Sequence, residues 1–273
     1  LIDFWLVTFL FIHREEFALF DKNGIYIPQL TPETLNLFSK KANNFYLKTF
    51  DIQGVKLDLF QKYRELVQQK AAVELSGSSF QETARPFLVF YKQLPDYTKN
   101  TTNLEYDTLA FRDVIKNARE LEKTFFEELP SAFGLSLNKL TQTEAPLQEF
   151  VNRLMACITE LRVAYDKLID RLEDKLYEIL GWKNEGDFAT LQKKLQKRFS
   201  AVKEPLLNNR QRVFFKRVTS KLPDRKAWLN SLTQAVMGKQ LNAITDEEEV
   251  VLYERVADAL QELDTLSELS QIP

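Results

Sequence analysis

Apolar residues recur at alternating intervals of three and four along the middle of the chain, starting from Leu147. They are Val151, Leu154, Ile158, Leu161, Tyr165, Leu168 and Leu172. This spacing forms a heptad-like seam along one face of a helix. We therefore predict one long helix over 144–180. The seam would pack within the chain or against a second copy in a coiled coil, and the amphipathic helices that follow favour the first alternative.

Amphipathic patterns predict further helices on both sides of the long one. Those after it are Asp187–Val202, Pro205–Lys221, Asp224–Met237 and Thr245–Leu266. Those before it are 80–94, 104–118 with Asn103 as N-cap, and a shorter one ending near Gly134. The last helix of the chain begins with a capping box, because the Thr245 hydroxyl can accept the Glu248 N–H while the Glu248 carboxylate reaches back.

The first 75 residues have a mixed pattern. Two apolar runs around Asn23-Gly24 predict a β-hairpin, and 45–52 alternates like a half-buried strand. Helices are predicted from Thr31-Pro32 to about Lys41 and over 55–69, and the Ser-Gly-Ser-Ser run at 76–79 is a linker candidate. The fold prediction is mainly α: a small α+β lobe over 1–75, followed by a helical bundle over 80–273.

Every residue from Phe4 to Ile12 except Thr8 is apolar. A membrane-spanning helix needs about 20 apolar residues, roughly twice this run, and the run lacks the basic flank of a signal peptide. We expect a buried helix or strand whose upstream partners lie outside this sequence, with no membrane association. The single cysteine, Cys157, excludes an internal disulfide and favours a cytoplasmic setting.

Motifs that carry chemistry are missing from the sequence. The Gly238-Lys239 pair lacks the upstream glycine of a Walker A loop and is followed by Gln240. One histidine and one cysteine cannot assemble a usual zinc site. Cys157 is predicted to be a buried, inert thiol and His13 to be structural. We therefore expect no catalytic site, cofactor or metal within this chain.

The charge is distributed unevenly. Residues 183–226 hold thirteen Lys and Arg against four Asp and Glu, a net charge of +9, and residues 242–273 hold one Arg against nine acids, a net charge of −8. The candidate phosphate-contacting cations are Lys193, Lys194, Lys197, Arg198, Arg210, Arg212, Lys216, Arg217 and Lys221. They would bind the DNA or RNA backbone without reading sequence, or they would dock on the acidic terminal helix or simply face solvent.

Four strings resemble segments of very large bacterial ATP-dependent proteins from phage-defence (BREX-like) loci. They are HREEFALF from His13, RPFLVFYKQLPDYTKNT from Arg85, FFEELPSAFG from Phe125, and DRKAWLNSL with TDEEEVVLYERVADAL from Asp224 onward. The resemblance spans most of the chain and contains no diagnostic catalytic motif. It implies a helical region of a longer polypeptide, with the nucleotide site elsewhere.

The leading functional hypothesis is a non-catalytic interaction or regulatory domain of such an NTPase. Its partners would be other domains or subunits of a larger assembly. The alternative is a nucleic-acid-binding module that uses the basic helices over 187–221. An independent enzyme ranks last, because no set of nucleophile, base and oxyanion donor can be proposed.

Overall fold

The computed structural model describes residues 2–12, 17–24, 27, 30–49, 55–71, 80–140, 143–183 and 187–270. Within these ranges the fold is mainly α, as predicted. The chain divides into two compact units: unit 1 comprises Leu1–Leu94 and Leu104–Leu161, and unit 2 comprises Pro95–Asn103 and Arg162–Pro273. The predicted boundary between a lobe and a bundle falls at 76–79, outside the described residues, so that division stays a prediction.

The helices and strands follow one another in this order: α1 (Ile2–Ile12), β1 (Phe17–Asp21), α2 (Pro32–Lys40), β2 (Phe45–Thr49), α3 (Val55–Ala71), α4 (Phe80–Gln93), α5 (Asp96–Asn100), α6 (Tyr106–Lys116), α7 (Leu121–Lys123), α8 (Leu129–Ala132), α9 (Leu137–Leu140), α10 (Glu144–Leu180), α11 (Phe188–Arg198), α12 (Asn209–Val218), α13 (Arg225–Met237) and α14 (Asp246–Leu269). A π-helical turn, Thr124–Glu128, joins α7 to α8.

The described sheet pairs the first arm of the predicted hairpin with the later strand, and Ile27 of the predicted second arm donates its N–H to the Leu19 carbonyl at 2.8 Å. β1 pairs antiparallel with β2, with Leu19 opposite Leu47. A turn does form at Asn23-Gly24, where the Gly24 N–H donates to the Asp21 carbonyl at 2.9 Å and Gly24 has a φ of 75°. Most of the predicted second arm, 25–26 and 28–29, lies outside the described residues.

The apolar run at the start of the chain forms α1, but the helix is not a buried core element as expected. Leu10 is fully buried, whereas Phe4, Trp5 and Ile12 are 76%, 70% and 67% exposed. The small cluster of Phe17, Leu19 and Phe38 packs against the side of α1 that carries Leu10. In the described part of the chain, no helix has the length and apolarity needed to cross a membrane.

An aromatic cluster forms the centre of unit 1. Tyr63 is fully buried, and its ring makes edge-on contacts with Phe87, Phe125 and Phe150 at centroid distances of 5.4 to 6.0 Å. The Tyr63 hydroxyl donates to the Phe125 carbonyl at 2.8 Å. These contacts join α3, α4 and α10 to the π-helical turn.

The heptad seam of α10 is buried inside the chain. Its first half, which includes Leu154 and Leu161, lies in the core of unit 1, and its second half, which includes Leu168 and Leu172, lies in the core of unit 2. The seam is therefore used for packing within the chain. In unit 2 it meets α11 to α14, whose contributions include the fully buried Trp228.

Candidate functional site

The buried apolar residues of α11 leave its lysines on the face that is exposed to solvent. Leu191 and Leu195 are fully buried on one face, and Lys193 and Lys197 lie exposed on the opposite face. The Asp187 side chain caps the helix by accepting the Thr190 N–H at 2.9 Å. The Thr190 hydroxyl donates to the same carboxylate at 2.7 Å, and this bond, together with the cap, lowers the pKa of Asp187. The helix ends at Arg198, one turn earlier than predicted.

The second basic helix, α12, begins at Asn209 and not at the predicted Pro205. The reason is local: Pro205 lies in a separate 3₁₀ turn, and Asn208 and Gln211 form a capping box that sets the helix start. Phe214 and Val218 anchor the buried face. Arg210, Lys216 and Arg217 are exposed.

Two of the nine predicted cations make hydrogen bonds within unit 2. The Arg198 guanidinium donates to both carboxylate oxygens of Asp264 on α14, at 2.7 and 2.8 Å. These bonds raise the pKa of Arg198. The Arg212 guanidinium donates to the Leu207 carbonyl at 3.1 Å. Both side chains are half-buried and stabilise the fold.

The other seven predicted cations are exposed: Lys193, Lys194, Lys197, Arg210, Lys216, Arg217 and Lys221. Lys216 lies 3.6 Å from Glu204, and Lys194 lies 5.6 Å from the centre of the Trp182 ring. The remaining five form no ion pair with the described residues. Docking on the acidic terminal helix therefore accounts for Arg198 alone, and phosphate contact by the exposed cations stays a prediction.

A second polar cluster in unit 2 was not predicted. Arg171 on α10 donates to both carboxylate oxygens of Glu249 on α14, at 2.7 and 2.8 Å, and to the Tyr97 hydroxyl at 2.8 Å. The Tyr253 hydroxyl also donates to Glu249, which is 8% exposed. These bonds hold three helices together, because Tyr97 belongs to α5.

Asp246 extends the contact between α5 and α14. Its carboxylate accepts the Thr101 hydroxyl and the Thr102 N–H, both at 2.6 Å. Burial raises the pKa of Asp246, but these hydrogen bonds outweigh burial and the net shift is downward.

Four groups of this cluster, Tyr97, Tyr253, Arg171 and Asp246, have pKa values shifted away from neutrality. Burial raises the pKa of both Tyr97 and Tyr253, hydrogen bonding to Glu249 raises that of Arg171, and Asp246 is shifted down. Each group therefore keeps one protonation state at neutral pH. The arrangement is suited to joining helices rather than to transferring protons.

Cys157 is 1% exposed, and burial raises the pKa of its thiol to about 11. This agrees with the predicted inert thiol. His13 lies outside the described residues. Within the described ranges, His, Cys, Asp and Glu side chains form no group of three or more that could hold a metal ion.

Comparison with known proteins found no match: no family model, no curated protein and no solved structure is similar to this chain.

Proposed function

We propose that this chain is a non-catalytic helical interaction domain of a larger cytoplasmic assembly, of the bacterial defence NTPase kind that the resemblance implies. One observation carries the proposal. In unit 2 the buried charges are paired across helices, whereas charges of both signs remain exposed on the basic helices and on α14. Exposed, unneutralised charge steers association with a complementary surface.

The non-catalytic part of the proposal is tested by phosphate release from ATP–Mg²⁺. The purified chain is expected to release no phosphate above the buffer rate. The Arg171→Met variant, which disturbs the best-connected polar cluster, is the matched control. A phosphate-release activity that co-purifies with the chain and is lower in the Arg171→Met variant would refute the proposal.

The interaction part is tested by fluorescence anisotropy with a labelled poly-glutamate peptide. Binding is expected at low salt and should weaken in the Lys193→Glu, Lys197→Glu double variant. Lys116 and Lys139 are exposed lysines of unit 1, and their double reversal to Glu is the control of equal charge. Absence of peptide binding at low salt would contradict an accessible basic surface.

A second candidate function is nucleic-acid binding, favoured by the lysine row on α11. Lys193 and Lys197 are four residues apart and Lys194 lies beside them, all exposed. The same anisotropy assay with duplex DNA and single-stranded RNA tests this candidate. Several phosphate contacts predict a loss of affinity of about 10³-fold between ~50 and ~200 mM salt. Tight, salt-sensitive DNA or RNA binding together with no peptide binding would make this candidate the leading one.

A further inference from the structure

Helix α12 exposes a short stripe of two arginines around a valine. Arg210, Val213 and Arg217 are separated by three and four residues, so they share one face of the helix. Val213 is 49% exposed, and both arginines are exposed. We call these three residues the basic stripe.

The arginines of the basic stripe differ from the other arginines of unit 2. Each of the others makes an interaction within the structure; they are Arg162, Arg171, Arg198, Arg212, Arg225 and Arg255. Arg210 and Arg217 make no ion pair with any described residue. An arginine fork is suited to bind a carboxylate through two hydrogen bonds, so these two are available for carboxylates of a partner.

Helix α14 exposes a stripe with the same spacing and opposite charge. Glu247, Val250 and Glu254 are separated by three and four residues, and Val250 is 58% exposed. Both glutamates are exposed and make no ion pair with a described residue. The stripe lies opposite the buried face of α14, which carries Leu252 and Val256. We call these three residues the acidic stripe.

We propose that the basic stripe of one copy of this chain docks on the acidic stripe of a second copy. This inference rests on the proposed interaction function and names its partner. The equal spacing places valine against valine with an arginine facing a glutamate on either side. Those charges lie about 4.5 and 6 Å along the helix axis from the valine, so a parallel or an antiparallel pair brings opposite charges together.

The occupant is a second copy because one chain carries both complementary surfaces and both are exposed in the monomer. Each copy offers one stripe of each kind. Association is therefore either a reciprocal pair or a head-to-tail series of copies. Exposed ion pairs are individually weak and a single helix pair buries little area, so we expect association at protein concentrations on the order of 100 µM.

Sedimentation velocity with charge reversal tests the proposal. The sedimentation coefficient of the wild-type chain should rise with concentration at ~50 mM salt and stay at the monomer value at ~500 mM salt, because salt screens exposed charges. One variant carries Arg210→Glu with Arg217→Glu, and the other carries Glu247→Arg with Glu254→Arg. Each variant alone should remain monomeric, because its two stripes then have the same sign.

An equimolar mixture of the two variants should associate again. The basic stripe of the second variant then meets the unchanged acidic stripe of the first, and the two reversed stripes are also complementary. A mixture that stays monomeric while the wild type associates, or single variants that associate like the wild type, would overturn the proposal. A wild-type chain that is monomeric at every concentration would also overturn it.

Two controls separate this contact from other causes of association. The exposed apolar face of α1 could bring copies together, but such association would persist at high salt and fall in a Phe4→Ser, Trp5→Ser variant. The Lys193→Glu, Lys197→Glu variant carries the same change in net charge as the reversed basic stripe and should still associate. If self-association fails while the poly-glutamate peptide binds, the interaction function stands and only the choice of partner is wrong.

Discussion

Replacing Arg171 with methionine removes the cation from the most buried ion pair among the described residues of unit 2. Glu249, 8% exposed, then loses two hydrogen bonds of 2.7 and 2.8 Å, and among the described residues the Tyr253 hydroxyl remains as its side-chain donor. The Tyr97 hydroxyl loses a 2.8 Å contact as well. Methionine fills part of the space left by the arginine stem without offering a donor.

The loss in unfolding free energy caused by Arg171→Met depends on how deeply each charge of the pair is buried. Breaking a fully buried ion pair costs about 3–5 kcal/mol, because one charge is left without compensation. The Arg171 side chain is 34% exposed and that of Glu249 is 11% exposed. Since solvent already screens the guanidinium, we expect Arg171→Met to cost about 2–3 kcal/mol.

A double-mutant cycle isolates the pair. Glu249→Leu alone leaves a partly solvated cation and should lower the free energy of unfolding by about 1–2 kcal/mol. The double variant, Arg171→Met with Glu249→Leu, should lower it by about 1 kcal/mol or less, because an apolar replacement of a buried pair is often neutral. The resulting coupling energy is about 2–5 kcal/mol.

Urea denaturation followed by tryptophan fluorescence measures these differences. Trp182 and Trp228 both belong to unit 2, so a Trp5→Phe background confines the signal to that unit. Lys175→Met is the control: its 2.7 Å pair is with Glu178 on α10, whose side chain is 69% exposed, so the pair should contribute less than about 0.5 kcal/mol. Additive single variants, or an Arg171→Met cost no greater than that of the control, would refute the reasoning.

Three further predictions concern single side chains. Burial raises the pKa of the Cys157 thiol to about 11. Iodoacetamide at pH 8 should therefore alkylate the native chain roughly 100-fold more slowly than the urea-unfolded chain. Similar alkylation rates for the two states would contradict this. The lowered pKa of Asp246 contributes to the free energy of unfolding at pH values above the pKa of the unfolded side chain, near 3.8, and this contribution is lost as the pH falls below that value. Asp246→Asn should therefore flatten the decline in the urea midpoint below about pH 4. An unchanged pH dependence of the midpoint would contradict this. The buried Trp228 Nε1 has no hydrogen-bond partner among the described residues. Trp228→Phe should therefore cost less than about 1 kcal/mol of unfolding free energy in urea denaturation, whereas Trp228→Ala should cost about 3–5 kcal/mol. Equal costs for the two variants would contradict this.

Sequence predicted the helices best where their signals are local. The Thr31 cap, the Thr245–Glu248 capping box and the seam of α10 depend on residues a few positions apart, and all three are present in the structure. The N-cap at Asn103 was predicted by the same logic and is wrong. Helix α6 begins at Tyr106, and the N–H of Glu105 donates to the carboxylate of Glu160 at 3.2 Å, a partner 55 residues away.

Long-range contacts also account for what was missed in unit 2. Thr101 and Asp246 are 145 residues apart, and Arg171 and Glu249 are 78 residues apart, so no local pattern marks either pair. The charge distribution along the sequence predicted the basic block, but it does not indicate that Arg198 forms an ion pair with Asp264, which is 66 residues away. For α1, the apolar run indicated burial, while the amount of core available to cover it depends on the packing of other elements.

The charges of unit 2 have two roles, and this makes binding separable from folding. Arg171, Arg198 and Arg225 hold carboxylates of other helices, so replacing them tests stability. Lys193 and Lys197 lie exposed opposite the core, so reversing them changes the surface potential and leaves the packing intact. A variant of the exposed set that lost binding without shifting the urea midpoint would therefore report on the surface alone. If reversing the exposed lysines instead lowered the midpoint as much as Arg171→Met does, the basic surface would be part of the fold and the interaction proposal would lose its main support.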